Sequence, residues 1–159
     1  TGHLVFSTLH TNDAPSAVTR LTDIGVKPFL IASAIRCLMA QRLVRKICPK
    51  CEAPAEPAES ELLALGLDPK NIKDPNFKAG KGCDKCNGTG HKGRFGLFEV
   101  FVVDDESRKM IVNEVTTTEL RKRAREVGMR TLREDGARKA VAGMTTANEV
   151  MRVTVGDED

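Results

Sequence analysis

Two C-x-x-C pairs, Cys48-Pro-Lys-Cys51 and Cys83-Asp-Lys-Cys86, stand in this chain with residues 52–82, 31 positions, between them. Each pair sets two thiols about one tetrahedral edge apart, so two pairs brought together from separate turns complete a closed four-sulfur shell. Such a shell forces the chain to return to its own starting point after the intervening loop. Asn87-Gly-Thr-Gly90 after the second pair supplies the backbone freedom that a tight metal knuckle needs. Disulfides, a thioredoxin-like redox pair and unrelated core cysteines compete with this reading. A redox C-x-x-C normally occurs once, beside a βαβ unit, whereas here there are two; in an intracellular chain paired C-x-x-C units are more often metal ligands than disulfides. The expectation is one zinc ion held by Cys48, Cys51, Cys83 and Cys86. With four protein ligands no position is open to water, so the zinc is structural. It would tie a strand ending near Ile47 to one beginning near Arg94. The fifth cysteine, Cys37, lies in an apolar stretch and is expected to be a small buried hydrophobe on a helix.

Around the cysteines the chain reads as α/β. His3-Leu-Val-Phe-Ser-Thr8 carries a short strand pattern, and its abrupt opening reads as a strand from a longer protein. Asp13 can cap a helix with Pro15 in its first turn and Gly25 as its stop. Pro28 begins a second, largely apolar helix expected to run through Leu38 and to be buried. Residues 52–58, with Pro54 and Pro57, form an extended linker, and Ser60–Leu65 a short helix ended by Gly66. Gly96–Val103 is a strand. Thr116-x-x-Glu119, Thr131-x-x-Glu134 and Thr146-x-x-Glu149 are three capping boxes opening helices of a C-terminal bundle. Gly156–Asp159 is a solvated tail.

Composition narrows the function classes. Aromatic residues make up 4%, with no Trp or Tyr, and the net charge of +3 comes from 25 basic against 22 acidic side chains. That balance offers neither stacking rings nor a basic field for nucleic acid. The longest apolar stretch, Pro28–Ile35, falls far short of the roughly 18 residues a spanning helix needs.

His3 and His10 bracket the opening strand and its polar turn. A strand running into Ser-Thr-x-His-Thr-Asn reads as the edge of a site, because ligands gather at the carboxyl ends of strands in open α/β sheets. The same residues can equally satisfy a turn, with His3 half-buried.

Taken in order, the motifs resemble one family. Thr1–Ala14 looks like the histidine box of the secretion ATPase superfamily, which drives type II secretion and type IV pilus assembly. Asn12-Asp-Ala-Pro-Ser16, Gly25-Val-Lys-Pro-Phe29, Ala40-Gln-Arg-Leu-Val-Arg45, the two C-x-x-C pairs, Gly93–Glu99, Gly128–Gly136 and Gly143–Thr154 follow in the expected order. The tetracysteine module fits the extension and secretion ATPases rather than the retraction ones, and Asn12–Ser16 leans to the pilus branch. The resemblance implies a RecA-like ATPase core ending within 1–47, a zinc segment at 48–93, and a strand followed by a helical bundle at 94–159. It also implies that His3 and His10 lie close to the terminal phosphate of ATP, with Mg and ATP as cofactors of a homo-hexameric full-length parent. Its partner would be an inner-membrane platform protein, and its place the cytoplasm, peripherally on the inner membrane. No G-x-x-x-x-G-K-[ST] phosphate loop occurs in residues 1–159, so the chain alone is expected to be inactive.

Two other classes remain. Cys83–Gly90 is a complete C-x-x-C-x-G-x-G unit of the J-protein co-chaperone kind, although Cys51 is followed by no such glycines. A zinc ribbon binding nucleic acid through Arg42, Arg45, Lys46 and Lys50 is the other.

Overall fold

The computed structural model describes residues 2–154. Thr1 and the Gly156–Asp159 tail lie outside them. In chain order the elements are α1 (Ser16–Asp23), α2 (Pro28–Ala34), β1 (Cys37–Ile47), β2 (Glu52–Pro54), α3 (Glu59–Ala64), β3 (Lys78–Gly80), β4 (His91–Val102), α4 (Asp105–Val112), α5 (Thr117–Glu126), α6 (Leu132–Val141) and α7 (Ala147–Val153). β1 pairs with β4 in one small sheet, and β2 with β3 in another. The chain forms two compact units, one of residues up to Ala40 with Val100–Met129, the other of Gln41–Glu99 with residues from Arg130 onward.

In the first unit α2 packs on α4, and α1 on α2 and α5. Ile31, Phe101, Ile111, Leu120 and Ala124 fill its core. Ion pairs tie the helix ends together. Asp13 caps α1 by accepting from the Ser16 N–H at 2.8 Å and also pairs with Arg121 at 2.6 Å. Arg108 donates to the carbonyls of Ala32 (2.6 Å), Ile35 and Val103 (both 3.1 Å), meeting the orphan acceptors at the end of α2. Asp104 caps α4 and pairs with Arg123, and the Arg123 guanidinium with the Ser107 donors holds its carboxyl below the ordinary range.

Four expectations fail in this unit. Residues 2–11 have no regular structure, and Leu4, Val5 and Phe6 stand 73, 78 and 88% exposed. A strand pattern becomes a strand only when a neighbour takes its backbone hydrogen bonds, and no described segment pairs with this one. The second helix stops at Ala34 rather than running to Leu38. Ile35 is extended, the Val103 N–H donates to the Arg36 carbonyl at 3.0 Å, and β1 begins at Cys37. An apolar run this dense carries no clear period, so long-range pairing with β4 decided it. Cys37 is therefore on a strand and exposed, not buried on a helix. The second helix is also only partly buried, since Phe29 and Leu30 are about half exposed.

The second unit closes around Val44, Leu97, Leu132 and Val150, all at 0% exposure. α6 packs on α7, and α7 on α3. The approach of α7 to α6 is close enough that a Cβ at Gly136 would sit 2.4 Å from Val150 Cγ1 and 3.0 Å from Leu97. Only glycine fits there.

Capping chemistry places the last three helices. Thr116 and Thr131 each accept from the N–H three residues on, at 3.2 Å, while Glu119 and Glu134 reach back, so α5 and α6 carry complete boxes. The third box is half-formed. Thr146 accepts from the Glu149 N–H at 3.3 Å, but the Glu149 carboxylate turns away. It accepts from the Arg45 N–H of β1 at 3.1 Å and pairs with Arg45 at 2.5 Å and Arg152 at 3.0 Å. Met144 O accepts from the Ile47 N–H and Thr145 donates to the Arg45 carbonyl, so residues 144–149 cover an edge of β1 that would otherwise expose unpaired backbone. A carboxylate buried to 3% exposure is better used on charged partners than on a helix end.

Burial pushes the Glu149 carboxyl up, but the donors of Arg45 and Arg152 together outweigh it and leave it below the usual range. The stabilisation is thus complete above the unfolded value of about 4.3 and is lost as pH falls from there toward the depressed folded value. Glu149→Gln is expected to lower stability by about 1–3 kcal/mol, since the arginines are partly exposed and solvent screens what remains. Its denaturant midpoint should also depend less on pH between about 5 and 3 than that of the parent chain. An unchanged midpoint at neutral pH would mean that the carboxylate does not hold β1 to α7.

Candidate metal centre

Ile47 ends β1 with its side chain buried, and the chain turns at once into the first cysteine pair. Cys51 N–H donates to the Cys48 carbonyl at 3.2 Å, closing that turn, and β2 leaves from it. β2 and β3 run antiparallel, with Glu52 opposite Gly80 and Pro54 opposite Lys78. This short ribbon returns the chain to the second pair, where a 3-10 turn over Asp84–Cys86 presents Cys83 and Cys86. Cys48 N–H donates to the Gly90 carbonyl at 2.9 Å and Lys81 N–H to the Cys51 carbonyl at 3.0 Å, so each knuckle is laced to the other by backbone. The lacing depends on glycine. A Cβ at Gly80 would lie 2.0 Å from the Gly90 oxygen, and Gly90, at φ +72°, would meet Gly80 likewise. The glycine requirement was legible at Gly88 and Gly90, but that of Gly80 was not. Its only signal was a Gly-Lys-Gly step just ahead of Cys83.

The four sulfurs of Cys48, Cys51, Cys83 and Cys86 lie within 4.8 Å of one another, and all four thiols are free of disulfides. Cys48 Sγ is 3.9 Å from Cys83 Sγ, Cys51 Sγ 3.8 Å from Cys86 Sγ, and Cys83 Sγ 3.7 Å from Cys86 Sγ. A metal–sulfur bond of about 2.3 Å in a tetrahedron sets the sulfurs about 3.8 Å apart. These are ligand separations, far beyond the roughly 2.05 Å of a disulfide. The group can hold one metal ion, and its donor set and spacing fit zinc.

Electrostatics favour thiolate at one corner. Burial pushes the Cys86 thiol up, but the N–H groups of Cys83 (3.2 Å) and Gly90 (3.3 Å), with the neighbouring thiols, bring it down to about 6. Burial and the adjacent thiols push Cys51 up to about 12. The crowded thiols thus differ in how readily they ionise, Cys86 more easily and Cys51 less.

Beyond the cluster sits His91, whose ring Nδ1 is 3.0 Å from the Thr89 carbonyl. His3 and His10 lie in the exposed segment without regular structure, and neither has a hydrogen-bond partner among the described residues.

Comparison with known proteins follows the same pattern. A family model described as Type II/IV secretion system protein matches residues 1–152. The chain is 48% identical over 155 residues to a type IV pilus assembly ATPase, PilB, of Thermus thermophilus, covering 98% of this chain and 17% of that protein. It is 46% identical over 154 residues to type II secretion system protein E of Pseudomonas aeruginosa, covering 97% of this chain and 30% of the relative. Type II secretion system ATPase E of Vibrio cholerae is 45% identical over 154 residues, with 97% and 30% covered. The chain spans less than a third of the length of each of these relatives.

Purified protein is expected to carry one zinc per chain in four-sulfur coordination, read by metal analysis and X-ray absorption. Cys83→Ser should lose the metal and Cys37→Ser should keep it. Because protons compete with metal for thiolate, affinity should fall steadily as pH drops, and chelator release should be faster near pH 5 than near pH 8. Two zinc ions per chain, or retention of the metal by Cys83→Ser, would overturn the assignment.

Proposed function

We propose that this chain, which belongs to the Type II/IV secretion system protein family, serves as the zinc-stapled part of a hexameric ATPase that powers type IV pilus assembly or type II protein secretion. The observation that carries this reading is the match over nearly the whole chain to proteins named as ATPases of those two machines. The co-chaperone and zinc-ribbon readings lose ground by the same observation, and neither explains the motifs outside residues 48–90. No helix among the described residues is long and apolar enough to cross a membrane, which accords with a peripheral place on the cytoplasmic side of the inner membrane.

In this reading the work is divided along the chain. Residues 1–47 end the RecA-like core, 48–93 form the zinc segment, and 94–159 carry a strand and the helical bundle. ATP and Mg bind the parent through a phosphate loop that residues 1–159 do not contain. His10, with His3 beside it, donates a hydrogen bond to the terminal phosphate, where charge grows as the bond breaks. The zinc stays out of the chemistry. It fixes the end of β1 against the start of β4, so that movement of the core passes to an inner-membrane platform partner. Nucleic acid has no role.

In the full-length protein His10→Ala is expected to lower turnover about a hundredfold or more with an unchanged melting temperature, and His3→Ala to act in the same direction more mildly. Residues 1–159 alone should release no phosphate above background. A His10→Ala enzyme that melts early yet turns over normally per folded molecule would mean that the histidine serves packing only.

A further inference from the structure

The outer face of the second unit holds a concentration of arginine that neither the metal centre nor the ATPase reading uses. Leu43 and Arg45 of β1, Arg94 of β4 and Arg152 of α7 line one open cavity of about 450 Å³. Two of the three guanidinium groups are held in place from beneath. The buried Glu149 carboxylate accepts from Arg45 Nη2 at 2.5 Å and from Arg152 Nε and Nη2 at 3.0 Å each, so one carboxylate orients two cations. Arg94 is exposed and has no partner among the described residues. Among the described residues, three guanidiniums against one carboxylate leave a surplus of two positive charges at the cavity wall.

That arrangement has a chemistry. Guanidinium forks match the oxygens of phosphate and carboxylate, and several forks with surplus positive charge suit the multiple oxygens of a phosphate ester better than a single carboxylate. Arginines already fixed by a buried partner lose less conformational freedom when a ligand arrives, and so bind it better than free surface side chains do. Leu43, 52% exposed in the same lining, offers an apolar wall to the organic group that carries the anion.

We propose that the cavity lined by Leu43, Arg45, Arg94 and Arg152 binds the phosphate group of an organic phosphate ester, either soluble or on a lipid headgroup. Arg94 supplies the free fork, and Glu149 acts through Arg45 and Arg152 as a positioning residue. The site lies within one compact unit and does not rest on the ATPase reading.

The test uses the zinc-loaded chain with nitrogen-15 in its arginine side chains. Titration with inorganic phosphate and with glycerol 3-phosphate is expected to move the Nε–H resonances of Arg45, Arg94 and Arg152 in a saturable way, with those of Arg45 and Arg152 reading the Arg94 variant. Vesicles of phosphatidylglycerol, beside phosphatidylcholine as control, form the lipid arm. Arg94→Gln, at an exposed position where the melting temperature should not change, is expected to weaken binding about tenfold, the loss of one charge-assisted pair. Lys50→Gln, outside the cavity, should bind as the parent does. Response to the soluble probes assigns a free phosphate ester, and response to phosphatidylglycerol vesicles alone assigns a headgroup. Absence of saturable binding to every probe, or equal binding by Arg94→Gln and the parent, would overturn the proposal.

Discussion

The convergence of four sulfurs within 4.8 Å is the constraint on which the rest of the second unit depends. β2 and β3 are three residues each, too short to hold a 31-residue excursion in register by their own hydrogen bonds. The loop between them buries only Leu62 and Leu65 well. What fixes its two ends is the pair of knuckles, laced backbone to backbone from Cys48 to Gly90 and from Cys51 to Lys81. Crowded thiols repel once ionised, and a cation at the centre of the cluster would relieve that repulsion. Because β1 runs into the first knuckle and β4 out of the second, the same closure sets where the longer sheet begins and ends.

A second organising contact lies on β1 just before it enters the knuckle. Glu149 sits at the start of α7, where a glutamate ordinarily completes a capping box, and is diverted to the backbone and guanidinium of Arg45. The helix gives up one local hydrogen bond, and the unit gains a charged link between its last helix and its first strand. That link needs all its partners, because a buried carboxylate without them would be costly. It also leaves two arginines oriented toward solvent, which is how a structural contact comes to shape a surface.

Much of this was legible in residues. The C-x-x-C spacing picked out the four cysteines whose sulfurs converge, and the Thr-x-x-Glu pattern placed the starts of α5, α6 and α7 within a residue. Gly25 and Gly66 were read as helix stops, and both adopt positive φ there. The family resemblance drawn from ordered motifs agrees with the match over residues 1–152. Legibility failed where local sequence was ambiguous between partners. Ile35–Leu38, apolar but for Arg36, has no clear period, and Cys37 and Leu38 become strand through pairing with β4 rather than from their own residues. The His3–Thr8 pattern met the opposite fate, since a good strand sequence without a neighbour stays irregular.

Sequence by itself determined what is encoded in short-range chemistry: ligand identity, helix caps, glycine turns and the family to which those motifs belong. These depend on the geometry of a few consecutive bonds, which residue type alone restricts. Tertiary structure decided where β1 begins, that Cys37 would face outward, that Gly80 packs against Gly90 too closely to admit a Cβ, and that Glu149 would serve Arg45 instead of capping its own helix. Each of those outcomes depends on a partner dozens of residues away, and only a folded chain puts the two within reach.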